Sequence, residues 1–462
     1  MPTKTRHYAA QADPTNSVFT EALGFVEGTD RHVYVTGKAG TGKTYFLKTL
    51  LEITDRNTVV VAPTGIAAVN AGGVTISSFF QLPFGPLLPD DHRFQTAAEL
   101  RAKGYEPSGT EPFGIHGYMR YGHEKLDLIR YMDRLVIDEV SMVRCDVMDA
   151  IDKLLRVYRR NPAPFGGVQL VLIGDPFQLP PVVKPEEEAI LLPHYPGRFF
   201  FNARAFTNLQ STLHVFDLQK IYRQHDLDFI RGLNEIRLGG LNTEQLDWLN
   251  ERYDPHFEST PTAPHVYLAN TRAKVSAENR AQLEQLDTHP QSFTGKTTGK
   301  FNPTYVLSPV TLVLKVGAQV MITSNQAVAG CVNGTIGVVE EVRPNGVSVR
   351  LPDERLIAVA EHTWKMYTYT VDKATGNVIP KVIGTFSQLP LMLAFAITVH
   401  KSQGLTFSHV IADLEGAFES GQVYVALSRC QTFEGLVLHT RVTGRDVQVH
   451  PRVVEWSRRV AA

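Results

Sequence analysis

One run of residues restricts the fold of this chain more than any other: Gly37, Lys38, Ala39, Gly40, Thr41, Gly42, Lys43 and Thr44. It follows the apolar run VYV and precedes an apolar helical segment, so its G-x-x-x-x-G-K-T pattern has the strand–loop–helix context of a phosphate-binding loop. The glycines let backbone N–H groups surround phosphates, while Lys43 reaches the β- and γ-phosphates and Thr44 binds Mg²⁺. The run therefore predicts an α/β protein that binds a nucleoside triphosphate with Mg²⁺.

A pair of acids, Asp138 and Glu139, follows a second apolar strand in RLVIDEVSM. A carboxylate at this strand end can hold Mg²⁺, directly or through water, and its neighbour can activate the attacking water as a general base. Adjacent acids are common on protein surfaces, so the pair gains its meaning from the phosphate loop upstream. We predict that Asp138 binds the metal and that Glu139 is the general base.

Short β-branched runs alternate with helical segments from about 31 to 193, which predicts a parallel sheet with crossover helices. Residues 82–123 break this pattern with many prolines and glycines and are expected to form an insertion. A second α/β unit is expected from about Val215.

That second unit gives way to a β-rich and turn-rich stretch. Within it, Asn333-Gly334 and Asn345-Gly346 are interpreted as hairpin turns, because Asn and Gly tolerate positive φ. The predicted domains are 1–214, then 215–286 together with 389–462, and an inserted antiparallel barrel at 287–388.

The length, net charge and cysteine spacing of the chain limit the classes of function it can have. The 462 residues exceed one ordinary core, and the net charge of −1 gives no sign of nucleic acid, so any nucleic-acid site must be a local groove. The cysteines have no metal or disulfide spacing, and no apolar run reaches membrane-spanning length. The N-terminal segment lacks the apolar core of a secretory signal, so we expect a cytoplasmic protein, associated with the nucleoid if it is bacterial.

Four further segments are explained better by a capped turn, a surface arginine or a loop histidine than by a functional role when taken singly: APTGIAAVNAGGVTISSFF, LQKIYRQHDLDF, AFAITVHKSQGLTFSHVI and GQVYVALSRC. Taken with GKAGTGKT, VIDEVSM and GDPFQLPP, in their order along the chain, they resemble the Pif-type (petite integration frequency) helicases of the 5′-to-3′ branch of superfamily one. The segment CDVMDAIDKLLRVYRRNPAPFGGVQL is similar to that family's own signature segment. The resemblance runs from about Val33 to His439.

The resemblance implies ATP as the nucleotide and assigns roles to matching residues. Gln178 in GDPFQLPP looks like the sensor of the γ-phosphate. Arg223 and Arg429 look like the arginines that reach this phosphate from the second domain, where a guanidinium neutralises transition-state charge. The implied catalytic residues are Lys43, Glu139, Gln178, Arg223 and Arg429. The implied nucleotide contacts are Gly37, Lys38, Ala39, Gly40, Thr41, Gly42, Lys43, Thr44, Gln178, Arg223, Gly404 and Arg429.

In similar proteins, single-stranded DNA lies across two RecA-like P-loop domains. By resemblance, the contacts to the strand are Thr64, Gly65, Phe79, Phe80, Asn270, His400 and Lys401. For the two phenylalanines, packing in the core is an equally good interpretation. The resemblance also implies that 82–123 is a small wedge subdomain and that 287–388 is a barrel-like accessory domain.

Two positions depart from the family pattern. DPTNSVFTEALGF carries Asn16 and Thr20, but no glutamine where the family often has one that reads adenine. Ser77 stands where the family often has histidine. These departures put in question the preference for adenine and one contact to DNA or between domains.

The resemblance implies an ATP-dependent DNA helicase that moves 5′ to 3′ and unwinds forked or partial duplexes, with G-quadruplexes and RNA–DNA hybrids as further substrates. DNA repair, recombination and telomere maintenance are the implied processes. A monomer that can dimerise on DNA is the implied assembly. Two alternatives stay open: a RecD-like subunit that unwinds only within a larger complex, and an ATP-gated clamp that holds nucleic acid without unwinding. A nuclease is disfavoured because the sequence has no separate carboxylate cluster.

Overall fold

The computed structural model describes residues 16–209, 212–260, 262–325, 328, 330–344, 346–417 and 419–461. Its first strands are β1 (Val33–Gly37), β2 (Thr58–Ala62), β3 (Val74–Thr75), β4 (Arg134–Ile137), β5 (Gln169–Ile173) and β6 (His214–Leu218). They form one six-stranded sheet in the order β3-β2-β4-β5-β1-β6, with every pairing parallel. The predicted α/β class is therefore confirmed.

Helices cover both faces of this sheet because its central strands are continuous apolar runs such as VVVA and LVLI. Helices Ser17–Gly28 and Lys43–Ile53 pack on one face through Phe19 and Phe46. Helix Cys145–Arg159 packs on the other face. The remaining helices of this unit are Gly65–Asn70, Ile76–Phe80, Ala97–Ala102, Gly114–Tyr118, His123–Tyr131, Pro185–Leu191 and Arg204–Leu209.

The Pro- and Gly-rich residues 82–123 contain short helical turns in place of strands. Phe94 and Ile115 from this stretch are buried in the same core cluster as helix Cys145–Arg159. The stretch is therefore packed against the first sheet's unit.

The first sheet extends further along the chain than predicted. Strand β6 pairs with β1, with Val33 opposite His214 and Gly37 opposite Leu218. The predicted boundary between 214 and 215 is therefore wrong, and the sheet ends at Leu218. The run HVFDL gives no local sign of which sheet it joins, because the crossover connection places an edge strand.

The later strands, in chain order, are β7 (Val266–Ala269), β8 (Gln291–Thr294), β9 (Lys296–Gly299), β10 (Thr311–Leu314), β11 (Gln319–Ile322), β12 (Ile336–Arg343), β13 (Gly346–Arg350), β14 (Leu356–Val359), β15 (His362–Val371), β16 (Val378–Gln388), β17 (Leu391–Leu393), β18 (Ala396–Thr398), β19 (Val410–Asp413) and β20 (Leu436–Leu438). A second parallel sheet has the order β18-β7-β19-β20. Its helices are Leu227–Leu238, Thr243–Asn250, Arg272–Glu284 and Gln422–Leu427.

The β-rich stretch between β7 and β18 is antiparallel and is divided into sheets of two, five and three strands. Strand β17 pairs with β11 in the five-stranded sheet, so the predicted end of this stretch at 388 is wrong. The cause is that the apolar run LML looks the same whether it joins a parallel or an antiparallel sheet.

Hairpin turns were predicted at both Asn-Gly pairs of this stretch, and the structure differs between the two positions. Asn333-Gly334 lies in the long connection between β11 and β12 and not in a tight hairpin turn, although Gly334 has a positive φ of 102°. Strands β12 and β13 form a hairpin with Arg343 opposite Gly346. Asn345 itself lies outside the described residues.

The C-terminal helix Pro451–Ala461 packs on the first unit. The Trp456 ring stacks on Phe201 at 4.8 Å between centroids and lies 5.1 Å from the ring of Tyr34. The predicted placement of 389–462 in the second domain is therefore wrong for this helix. An amphipathic pattern shows that a face is buried but not which domain covers it. None of the described helices combines the length and apolarity needed to cross a membrane.

Candidate active site

The phosphate loop connects β1 to helix Lys43–Ile53. Gly40 and Gly42 have φ values of 81° and 87°, a left-handed conformation that glycine adopts without strain. The Lys43 ammonium donates hydrogen bonds to the carbonyl oxygens of Gly37, at 2.6 Å, and Lys38, at 2.9 Å. Burial lowers the pKa of Lys43. The loop thus holds a cation beside a helix start, where phosphate oxygens are favoured.

The acid pair lies at the end of β4. Asp138 is buried, and its Oδ1 accepts a hydrogen bond from the backbone N–H of Glu139 at 3.0 Å. Glu139 has a φ of 50°, a left-handed conformation that ends the strand and precedes the 3₁₀ turn Val140–Met142. Burial raises the pKa of both carboxyls; the charge of Glu139 adds to this effect at Asp138, whereas Lys43 and Arg429 oppose it at Glu139.

The residues predicted to hold Mg²⁺ fit that ion. Thr44 and Asp138 offer hydroxyl and carboxylate oxygens, which Mg²⁺ prefers, and both line one cavity. Asp138 and Glu139 also place two carboxylates side by side away from water, an arrangement that a divalent cation would stabilise.

A cavity of about 350 Å³, here called the nucleotide cavity, brings most of the predicted nucleotide contacts together. It is lined by Ala39, Gly40, Thr41, Gly42, Lys43, Thr44, Tyr45, Glu139, Gln178, Tyr222, Arg223, Gly404, Thr406 and Arg429. Gly37 and Lys38 do not line it, and their carbonyl oxygens accept hydrogen bonds from the Lys43 ammonium. The proximity of these residues is observed, while their individual roles stay predictions.

Two arginines reach this cavity from beyond the first sheet. Arg223 donates to the carbonyl of Ser428 at 3.0 Å, and Arg429 donates to the carbonyl of Val425 at 2.8 Å. Burial lowers the pKa of Arg223 to about 10 and that of Arg429 well below its usual value, the latter also through the charge of Arg223. Arg429 is buried and Arg223 is half-buried, and a phosphate between the two guanidiniums would stabilise both charges.

The loop GDPFQLPP is fixed by a salt bridge to the second unit. Asp175 accepts from the guanidinium of Arg237, on helix Leu227–Leu238, at 2.8 Å. Gln178 Nε2 donates to the other carboxylate oxygen of Asp175 at 3.3 Å. Burial alone would raise the pKa of Asp175, but Arg237 and Lys43 outweigh it and leave this pKa below its usual value. The predicted γ-phosphate sensor is therefore tied to a residue of the other unit.

A second and larger cavity of about 870 Å³, here called the large cavity, contains five of the seven residues predicted to contact nucleic acid. These are Thr64, Gly65, Asn270, His400 and Lys401. The nucleotide cavity and the large cavity share Thr44, Glu139, Gly404 and Thr406.

Phe79 and Phe80 do not line the large cavity. They are 3% and 0% exposed and belong to the core of the first unit. Their rings meet edge to face at 4.8 Å, and the Lys125 ammonium lies 3.3 Å from the centroid of Phe79. Their prediction as nucleic-acid contacts is therefore wrong, because a base cannot stack on a ring that neighbouring side chains already enclose.

Tyr305 is a residue of the large cavity that the sequence did not reveal. It ends a short 3₁₀ turn between β9 and β10, and its half-buried ring packs on Gly65 so closely that a Cβ there would collide with the ring. A glycine at 65 is therefore required for this packing. An aromatic residue in FNPTYV was the available signal, but nothing local connects it to a segment far upstream.

Asn16 already uses both ends of its amide. Its Oδ1 accepts from the backbone N–H of Phe19 at 3.3 Å, and its Nδ2 donates to the hydroxyl of Tyr222 at 3.1 Å. Tyr222 lines the nucleotide cavity. Asn16 thus orients a cavity-lining ring, while Ser77, at the other departure, is exposed on helix Ile76–Phe80.

Two parallel sheets, a phosphate loop and the acid pair Asp138-Glu139 at a strand end define this chain as an α/β protein of the phosphate-loop class. A family model described as PIF1-like helicase matches residues 12–93 and 107–247. The crystal structure of Bacteroides sp. Pif1 in complex with ADP-AlF4 is 37% identical, covers 96% of each chain and has a TM-score of 0.83. The chain belongs to the PIF1-like helicase family.

Two other relatives extend the comparison. The crystal structure of Bacteroides Pif1 bound to single-stranded DNA is 37% identical over 96% of each chain, with a TM-score of 0.64. The human ATP-dependent DNA helicase PIF1 is 32% identical over 92% of this chain and 60% of its own length. The chain thus spans about 60% of the length of that curated relative.

Proposed function

We propose that this chain is an ATP-dependent DNA helicase that moves 5′ to 3′ along single-stranded DNA. One observation carries the proposal: the nucleotide cavity and the large cavity share Thr44, Glu139, Gly404 and Thr406. A bound triphosphate and a bound strand would therefore act on the same residues, as coupling requires. The direction rests on the family resemblance alone.

Hydrolysis would proceed by neutralising charge and removing one proton. Mg²⁺, held by Thr44 and Asp138, would offset charge on the β- and γ-phosphates. The Glu139 carboxylate would take the proton from the attacking water. Lys43, Arg223 and Arg429 would neutralise the charge that develops on the γ-phosphate, with Gln178 reading whether that phosphate is present.

The strand would lie in the large cavity. Thr64, Gly65 and Asn270 offer hydroxyl, backbone and amide groups, and His400 and Lys401 are exposed beside them. Such groups hold phosphates and sugars without reading sequence. The solved structure of Bacteroides Pif1 bound to single-stranded DNA supports this ligand. A local cavity also agrees with a net charge of −1.

The two parallel sheets would act as RecA-like motor domains. The nucleotide cavity lies between them, since Ala39 of the first unit donates to the hydroxyl of Tyr424 in the second at 2.8 Å. ATP would hold this cleft shut and hydrolysis would release it, which moves a strand that crosses both units. Residues 82–123 would form the wedge and the antiparallel sheets the barrel-like accessory domain.

The proposed substrates are forked and partial duplexes, with G-quadruplexes and RNA–DNA hybrids as further candidates. The proposed location is the cytoplasm, and in a bacterium the nucleoid. The proposed processes are DNA repair, recombination and telomere maintenance. It would act as a monomer that can dimerise on DNA.

The proposal is tested by ATP hydrolysis and strand separation measured together on a labelled forked duplex. We expect single-stranded DNA to stimulate hydrolysis and strands to separate only with ATP and Mg²⁺. Lys43→Ala is the matched control and should lose both activities, because its ammonium can no longer hold phosphate. An equal rate of ATP hydrolysis with and without DNA in the unmodified protein would contradict the proposal.

The same assay separates the two alternatives. A RecD-like subunit would separate strands only when a partner protein is added. A clamp would keep DNA binding and DNA-stimulated hydrolysis without separating strands, and shortening residues 82–123 within their exposed part, 103–111, would leave it unaffected. In a helicase, that shortening should reduce strand separation while hydrolysis persists.

A further inference from the structure

The general base of the nucleotide site has a direct partner from the second unit. The side-chain amide of Gln403 donates a hydrogen bond to Oε2 of Glu139 at 2.9 Å. Residues 139 and 403 lie on opposite sides of the cleft, one after β4 and the other in the turn after β18. The carboxylate that must accept a proton from water is therefore held by an amide of the other unit.

This turn also carries two of the residues that face the large cavity. His400 and Lys401 precede Gln403, and all three line that cavity. The turn is closed by the backbone N–H of Gln403, which donates to the carbonyl of His400 at 3.3 Å. Gly404 follows with a φ of 79° and open space around it, so the turn can change its backbone angles at that position.

The hydrogen bond restrains the base. An amide that donates to this carboxylate fixes its orientation and occupies a lone pair that the attacking water would use. A movement of the turn by a fraction of the bond length would be enough to remove this restraint, since hydrogen bonds weaken steeply with distance and angle.

We propose that Gln403 is a positioning residue that couples strand binding to hydrolysis. In the arrangement described here it restrains Glu139. A strand that binds His400 and Lys401 shifts the turn, breaks the bond from Gln403 to Glu139, and frees the carboxylate to take the proton of the attacking water. This inference rests on the proposed function, because it concerns how DNA controls the same nucleotide site.

The test compares ATP hydrolysis with and without saturating single-stranded DNA in Gln403→Ala and Gln403→Met, the second of which keeps the side-chain length without a donor. We expect the rate without DNA to rise about tenfold, the worth of one hydrogen bond to a charged group, and the rate with DNA to stay near that of the unmodified protein. Gln431→Ala is the matched control, because this exposed glutamine of the same unit contacts Ser408 and lies outside both cavities. Far-ultraviolet circular dichroism checks that each variant is folded.

The division between kcat and KM provides a second reading that a purely structural role would not change. Gln403 contacts the proposed general base and does not line the nucleotide cavity. Its loss should therefore raise the DNA-free kcat and leave the KM for ATP near that of the unmodified protein. With DNA bound, kcat and KM of the variant and of the unmodified protein should coincide.

Two results would overturn the inference. A parallel fall of the rates with and without DNA would mean that Gln403 orients Glu139 for catalysis, and unchanged rates would mean that the bond has no role. Failure of the proposed function is distinct from both, because the unmodified protein would then show no stimulation by DNA before any variant is made.

Discussion

Three charged residues lie close together at the phosphate loop: Lys43, Asp138 and Glu139. Burial lowers the pKa of Lys43 and raises the pKa of the two carboxyls, so that each shift favours the neutral form. A phosphate chain with Mg²⁺ would supply the missing opposite charges for all three. The charge balance of the site is therefore completed by the ligand that the proposed function requires.

Glu139→Gln should stop hydrolysis while leaving ATP binding intact. The amide keeps the size of the carboxylate but cannot accept the proton, so we expect the rate to fall by about 10²–10⁴-fold. Steady-state hydrolysis with single-stranded DNA and equilibrium binding of a fluorescent ATP analogue measure the two effects. Substantial hydrolysis by the variant would remove Glu139 from the role of general base.

Phe79→Ala should destabilise the protein without a specific effect on DNA. The ring is buried in the first core, and removing a buried phenylalanine costs about 3–5 kcal/mol of unfolding free energy. Chemical denaturation gives this cost, and single-stranded DNA binding is measured on the folded fraction at low temperature. A variant with unchanged stability and greatly weakened DNA binding would restore the prediction that the structure overturned.

The residues of the nucleotide cavity were predictable where one short motif specifies the chemistry, as in GKAGTGKT and VIDEVSM. The contacts of Arg237 to Asp175 and of Gln403 to Glu139 were not, because each joins positions far apart in the chain. The sequence could not predict whether Phe79 is buried, because a pair of aromatic residues occurs both in cores and on surfaces that stack on bases.

At the level of elements, the 3₁₀ turn Pro303–Tyr305 and helix Gly65–Asn70 form one wall of the large cavity. They belong to the β-rich stretch and to the first unit, and the ring of Tyr305 joins them at Gly65. Under the proposed function, the half-buried ring of Tyr305 would lie at the edge of the DNA site, where it could stack on a base.

Tyr305→Ala should weaken binding of single-stranded DNA by about 1–3 kcal/mol, the usual worth of one stacked base. Tyr305→Phe keeps the ring and should bind nearly as the unmodified protein does. Fluorescence anisotropy with a labelled oligonucleotide measures both. Tighter binding by the alanine variant would contradict stacking and show that the ring obstructs the cavity.

Strands β1, β2, β4, β5, β7 and β20 were predictable from apolar runs, but the sheet that an edge strand joins was not. Strand β6 joins the first sheet and β17 the five-stranded antiparallel sheet, although both lie at predicted domain boundaries. The sequence of a short apolar strand does not identify the strand it pairs with, because the pairing depends on the connections before and after it.

Across the whole molecule, the chain crosses between its two units more than once. The second sheet ends at β20, after which the C-terminal helix returns to pack on the first unit through Trp456. Salt bridges such as Arg198 to Glu419, at 2.8 Å, also join the two sides. Stability of the first unit therefore depends on the last segment of the chain.

Trp456→Ala should lower the unfolding free energy by about 3–5 kcal/mol, because it empties a site stacked against Phe201 and Tyr34. Differential scanning calorimetry measures the effect, and Arg459→Ala on the exposed side of the same helix is the matched control. Equal stability of the two variants would contradict the packing of this helix on the first unit.

The proposed motor moves 5′ to 3′, and strand separation of two labelled partial duplexes tests this direction. One duplex carries a 5′ tail and the other a 3′ tail, each with ATP and Mg²⁺. We predict separation from the 5′ tail alone. Separation from the 3′ tail alone would contradict the direction, and separation from neither, with DNA-stimulated hydrolysis intact, would contradict an autonomous helicase.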